Sequence, residues 1–112
     1  MTMRVTVFGD PAHEVCLISG CGSRVSSADA WPETAAQLAD LFGERLTLRY
    51  YDLGDPELRG RFASIIDGAR ARGLRFPLVA VNGQIVAGFD ESAPYPLALD
   101  RMLHLIGDAA GA

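Results

Sequence analysis

Asn82-Gly83 is the strongest single constraint on how this chain folds. A two-residue hairpin turn needs positive φ at both central positions, and Asn followed by Gly accepts it at least cost. The dipeptide joins the apolar run Leu78, Val79, Ala80 and Val81 to a second strand-like segment over residues 84–89. Two sequential antiparallel strands are therefore expected late in the chain. Early in the chain, Val5, Thr6, Val7 and Phe8 read as a short buried strand closed by Gly9, Asp10 and Pro11. Leu46, Leu48 and Tyr50 alternate with Thr47, Arg49 and Tyr51, the period of another strand. These two early strands are separated by a helical pattern, so they must run parallel.

That helical pattern is Trp31, Ala35, Leu38 and Leu41/Phe42, with Asp29 as the expected N-cap, Pro32 in the first turn and Gly43 as the stop. A second helix is expected after the Asp55 cap, with Pro56 at its first position. It should bury Leu58, Phe62, Ile65, Ile66 and Ala69 and end near Gly73. A last helix carries Leu99, Met102, Leu103 and Ile106 on one face, starting near residue 95 because Pro94 and Pro96 delay it. The order is βαβαββα. Residues 1–107 form one domain and 108–112 a frayed C-terminal tail.

At 112 residues, 49% of them apolar, the chain suits a single domain with a real core. It contains no run of 18 apolar residues, so no membrane span is expected. Residues 1–4 lead straight into the first strand without the apolar stretch of a signal peptide, and the expectation is a cytoplasmic protein. Net charge is −4, which disfavours nucleic acid as a partner. Every basic residue is Arg. Arg59, Arg61, Arg70, Arg72 and Arg75 cluster between positions 59 and 75 and are read as a mostly solvated face.

Chemistry concentrates in two cysteines, Cys16 and Cys21, separated by Leu17, Ile18, Ser19 and Gly20. They lie between the first strand and the first helix, in a Gly/Ser/Pro-containing segment over residues 9–28 that reads as a loop. Two cysteines in a reducing compartment are catalytic, metal-binding or incidental core thiols. As a redox pair they need a thiolate and a resolving thiol. His13 and Arg24 are nearby sources of positive charge that would favour a thiolate, and Glu14 opposes them. As soft ligands, Cys16 and Cys21 suit Cu(I); with His13, and Glu14 or Asp10 as a fourth, they approach a Zn(II) set. As small hydrophobes they would leave a binding module. Among the remaining residues, His104 is read as a helix-surface residue, Trp31 as core, and Tyr50 and Tyr51 as lying on opposite faces of their strand.

The element order, the thiols after strand one and a Pro opening strand three together resemble the thioredoxin-like fold, over residues 4–107. The resemblance implies an α/β, thioredoxin-like βαβαββα chain whose central mixed four-stranded sheet has helices on both faces. It also implies that Phe76–Pro77 is a cis bond and that Pro77 faces the thiols. Two smaller families look closer. Asp10-Pro11-Ala12, Cys16 through Cys21-Gly22, and Phe76-Pro77 with the following Gly-containing hairpin are similar to ArsD-type arsenite metallochaperones. Those proteins carry a further cysteine where this chain has Val15. Val15-Cys16, Tyr50-Tyr51-Asp52-Leu53 and Phe76-Pro77-Leu78-Val79 resemble YuzD-type disulfide oxidoreductases, whose cysteines are usually closer together.

By these resemblances Cys16 is the attacking thiol, Cys21 the resolving thiol and Pro77 their neighbour. The expected activity is thiol–disulfide exchange without a cofactor, with a protein thiol or disulfide as partner. The alternative is a carrier of As(III), Cu(I) or Zn(II), held by Cys16, Cys21 and His13 and delivered to a metal transporter. The third reading is a non-catalytic interaction module. Either a monomer or a homodimer fits all three.

Overall fold

The structure is a computed structural model that describes residues 2–10, 17–18, 23–24, 27–89 and 96–111. Its elements in chain order are β1 (Met3–Gly9), β2 (Leu17–Ile18), β3 (Ser23–Arg24), α1 (Ser27–Phe42), a 3₁₀ turn (Gly43–Arg45), β4 (Leu46–Asp52), α2 (Pro56–Arg61), α3 (Ala63–Ala71), β5 (Arg75–Val81), β6 (Gln84–Phe89) and α4 (Leu99–Gly111). Four strands make one mixed sheet in the order β4-β1-β5-β6. β1 runs parallel to β4, from Met3↔Leu46 to Gly9↔Asp52. It runs antiparallel to β5, from Val5↔Val81 to Phe8↔Leu78. β5 and β6 form the expected hairpin.

Asn82 and Gly83 have φ of 52° and 88°, as a type I′ turn requires. Asn82 also extends the β1–β5 ladder: its N–H donates to Arg4 O at 2.8 Å, and its Oδ1 accepts from Arg4 N at 2.9 Å. Strand alternation then sorts the core. Val5, Val7, Val79 and Val81 pack with Trp31 and Leu38 of α1 and with Met102, Leu105 and Ile106 of α4. Phe8, Leu78 and Ala80 pack on the other side with Ile66 and Ala69 of α3. The sheet is thus covered by helices on both faces, and all the strand positions just named are nearly or fully buried. The buried Thr34 hydroxyl donates to Leu97 O at 3.1 Å, tying α1 to the turn before α4.

Four expectations need correction. The second helix is two helices: Phe62, at φ −106° and ψ 19°, separates α2 from α3. Hydrogen bonds still bridge the junction, from Phe62 N to Leu58 O and from Ile66 N to Phe62 O, both 3.0 Å. The cause is tertiary. The Phe62 ring packs edge-on against Phe8 at 5.0 Å and tilted against Tyr51 at 4.9 Å, and this three-ring cluster sets where the chain bends. Second, α4 starts at Leu99 and continues through Gly111, beyond the expected end at residue 107. Alanine-rich sequence favours that extension, and His104 Nε2 lies 3.3 Å from Asp108 Oδ2 one turn on. Third, α1 opens at Ser27, two residues before the expected cap Asp29. Fourth, the segment read as loop contains an antiparallel ladder, Leu17↔Arg24 and Ile18↔Ser23.

Gly88 is required by a close approach. A Cβ there would lie 2.8 Å from Leu74 Cβ and 2.9 Å from Leu78 Cδ2. Gly88→Ala is therefore expected to lower unfolding free energy by about 1–3 kcal/mol through overpacking. Gly68→Ala, where a Cβ on α3 meets nothing within 4 Å, should raise it by about 0.5–1 kcal/mol. Urea unfolding of both variants checks the pair, and a neutral Gly88→Ala would contradict the packing described.

Candidate functional site

Pro77 was expected to mark the site, and the sheet shows where it stands. It belongs to β5, one residue beyond the Phe8↔Leu78 pair, and so lies level with Gly9 at the C-terminal end of β1. Its side chain is fully buried and the Phe76–Pro77 bond is cis. Cys16, Cys21 and His13 lie outside the described residues. Arg24 is in β3, paired with Leu17.

The end of β1 is built from three strands. Gly9 pairs with Asp52 of β4, and Leu53 N donates to Gly9 O at 2.7 Å, carrying the parallel ladder one residue further. Asp52 Oδ1 accepts from Gly54 N at 2.8 Å and turns the chain away from the sheet. Asp55 then caps α2, its side chain accepting from Glu57 N at 2.9 Å with Pro56 next in line, as the sequence implied.

Asp10, the first residue after β1, is a fully buried carboxylate. Arg59 of α2 meets it: Arg59 Nη2 donates to Asp10 Oδ2 in a charge-assisted contact, and Arg59 Nε donates to Leu53 O at 3.1 Å. One guanidinium thus joins the ends of β1 and β4 to the helix that follows β4. A charge taken fully out of water is costly unless matched, so Arg59 is held there by what Asp10 requires.

Arg59 thereby departs from the expected solvated face. Arg61, Arg70, Arg72 and Arg75 are exposed as expected; Arg59 is half-buried. The missing signal was register. Once Gly9 is set against Asp52, Asp10 falls level with Leu53, and a helix capped at Asp55 brings its first turns over both.

Other sequence-named residues fall as expected. Trp31 is core. Tyr50 packs with the α1–α4 side and Tyr51 with the α3 side. His104 is on the helix surface, its side chain 64% exposed. Among the described residues no group of three or more His, Cys, Asp or Glu is placed to hold a metal ion, and no helix is long and apolar enough to cross a membrane.

No family model and no curated protein matches the chain. Among solved structures, the crystal structure of the Staphylococcus aureus protein SA0789, described as of unknown function, is similar. The TM-score is 0.59 at 18% identity, covering 96% of this chain and 91% of that one. At that identity the likeness is one of fold.

Proposed function

We propose that this chain is a small thioredoxin-like protein that carries out thiol–disulfide exchange through Cys16 and Cys21. The observation that carries the reading is the place of Pro77: buried, at the opening of β5, and level with the end of β1 from which the cysteine segment departs. The sheet order β4-β1-β5-β6, with one parallel and two antiparallel pairings, suits the βαβαββα architecture that such proteins use.

In this reading the Cys16 thiolate attacks one sulfur of a partner disulfide. A Cys16–partner disulfide forms and the partner's other sulfur leaves as thiolate. Cys21, deprotonated in turn, attacks the Cys16 sulfur, frees the second partner thiol and closes a Cys16–Cys21 disulfide. Two electrons pass to the partner and two protons leave the cysteine pair for the released thiols or solvent. The Asp10–Arg59 pair anchors the base of the strand end that carries the cysteine segment.

The deciding measurement is the alkylation rate of each thiol against pH, with the oxidised form weighed by mass spectrometry. Cys16 is expected to react about tenfold faster at neutral pH than a thiol of ordinary pKa near 8.5, and mild oxidation should remove two hydrogen atoms reversibly. Protection of both thiols by stoichiometric As(III), Cu(I) or Zn(II) would replace exchange with the carrier reading. Two slow and unprotected thiols would end both readings.

A further inference from the structure

The α3 side of the sheet holds a cavity. It arises from how α3 ends. Leu74 N donates to Ala69 O at 3.0 Å and Gly73 N to Arg70 O at 2.9 Å, with Gly73 at φ 77°. This paired closure reverses the chain within two residues. The first residues of β5 then run beside the last turn of α3, and a cavity of about 240 Å³ remains between them.

Ile66, Leu74, Phe76 and Leu78 line it, together with Arg70 and Arg75. Ile66 and Leu78 are buried, Leu74 and Phe76 are half-buried, and both arginines are exposed. An apolar floor therefore lies beside two arginines, one from a helix and one from a strand. The surrounding charge reinforces them. Residues 56–75 carry five Arg against Glu57 and Asp67, whereas the rest of the chain carries five Arg against twelve acids. Arg59 is engaged by Asp10, but residues 56–75 remain the basic stretch of an acidic sequence, and the cavity's Arg70 and Arg75 belong to it.

We propose that this cavity binds a small apolar monocarboxylate. Its hydrocarbon part lies against Leu74 and Phe76, and its carboxylate is taken by the Arg70 guanidinium, a planar donor suited to two parallel hydrogen bonds. A neutral apolar ligand would leave the guanidinium contact unused, and a small inorganic anion would leave the floor unfilled. At protein packing density the cavity holds about ten non-hydrogen atoms, the size of a medium-chain fatty acid. Asp67, three residues before Arg70 on α3, puts a negative charge near the ligand's carboxylate and keeps the affinity modest. Pro77 does not line the cavity, and the test below reads no thiol, so the proposal stands or falls apart from the exchange reading.

The test is a ¹H–¹⁵N titration of the full chain with octanoate and, separately, with its neutral counterpart octanamide. Octanoate is expected to give saturable shifts at Ala69, Leu74 and Phe76 with a Kd below about 1 mM. Octanamide should bind at least about fivefold more weakly, and Arg70→Gln should reduce octanoate to the octanamide level. Absence of saturation up to about 10 mM, equal affinity for the two ligands, or shifts confined to other parts of the chain would overturn the proposal. If Arg70→Gln fails to fold, the comparison of octanoate with octanamide decides alone.

Discussion

Met102→Ala is expected to cost about 3–4 kcal/mol of unfolding free energy. Met102 is fully buried in α4 and packs in the cluster formed by Val5, Val7, Val79, Val81, Trp31 and Leu38. Truncation removes the apolar transfer gain of the side chain and leaves a space between α4 and the sheet. Partial collapse of α4 sets where in the usual 2–5 kcal/mol range the cost falls. The sheet supplies the rigid side of that space, since Val5, Val7 and Val79 are fully buried and belong to central strands. In a domain of this size the change lowers Tm by roughly 12–25 °C. Leu41→Ala is the matched control. Leu41 is 54% exposed, so its truncation should change stability by less than about 0.5 kcal/mol. Urea unfolding with an unchanged m-value checks both. A Met102→Ala loss below about 1 kcal/mol would mean that α4 does not pack on the sheet as described.

Arg59→Met should be the second large effect, a loss of about 2–3 kcal/mol at neutral pH. The reasoning is asymmetric. The Arg59 side chain is 38% exposed, so its guanidinium is partly solvated and the direct attraction is screened. Asp10 is fully buried, so the substitution strips the guanidinium counter-charge from a carboxylate that water does not reach. The cost is mainly that of a buried carboxylate losing its guanidinium, with the lost contact to Leu53 O added. The converse change, Asp10→Asn, should cost less, because the remaining guanidinium can turn to solvent. Arg59→Met combined with Asp10→Leu should recover part of the loss, since replacing both members of a buried pair with apolar groups is often near neutral. Chemical denaturation of the wild type, Arg59→Met, Asp10→Leu and the double variant gives the coupling energy directly. Additive single losses would show that the two side chains act independently.

Much of the fold was legible because it rests on local chemistry. The Asn82-Gly83 turn, the Asp55 cap with Pro56 behind it, and the stop at Gly73 are each set by the φ preference or hydrogen-bonding capacity of one or two residues. Strand alternation in β4 was equally readable, since a period of two assigns Tyr50 and Tyr51 to opposite faces before any partner is known. Phe62 was not readable in this way. Its helical spacing with Leu58, Ile65 and Ile66 gave no sign that its ring would meet Phe8 and Tyr51 from two other strands. The continuation of α4 past Gly107 was not readable for a different reason: a glycine disfavours helix locally, and Ala109 and Ala110, which favour it, follow only after Asp108.

The candidate site divides along the same line. By itself, the sequence determined that two thiols follow the first strand, that a proline opens the third long segment of β structure, and that arginines gather between positions 59 and 75. Only the tertiary structure decided that Pro77 stands level with Gly9, that Arg59 leaves the arginine face to meet buried Asp10, and that Arg70 and Arg75 come to share one cavity. The physical reason is range. Turns, caps and face alternation are fixed by energies within a few residues. The meeting of Asp10 with Arg59 spans 49 positions and depends on the register of a parallel strand pair, which no local pattern specifies.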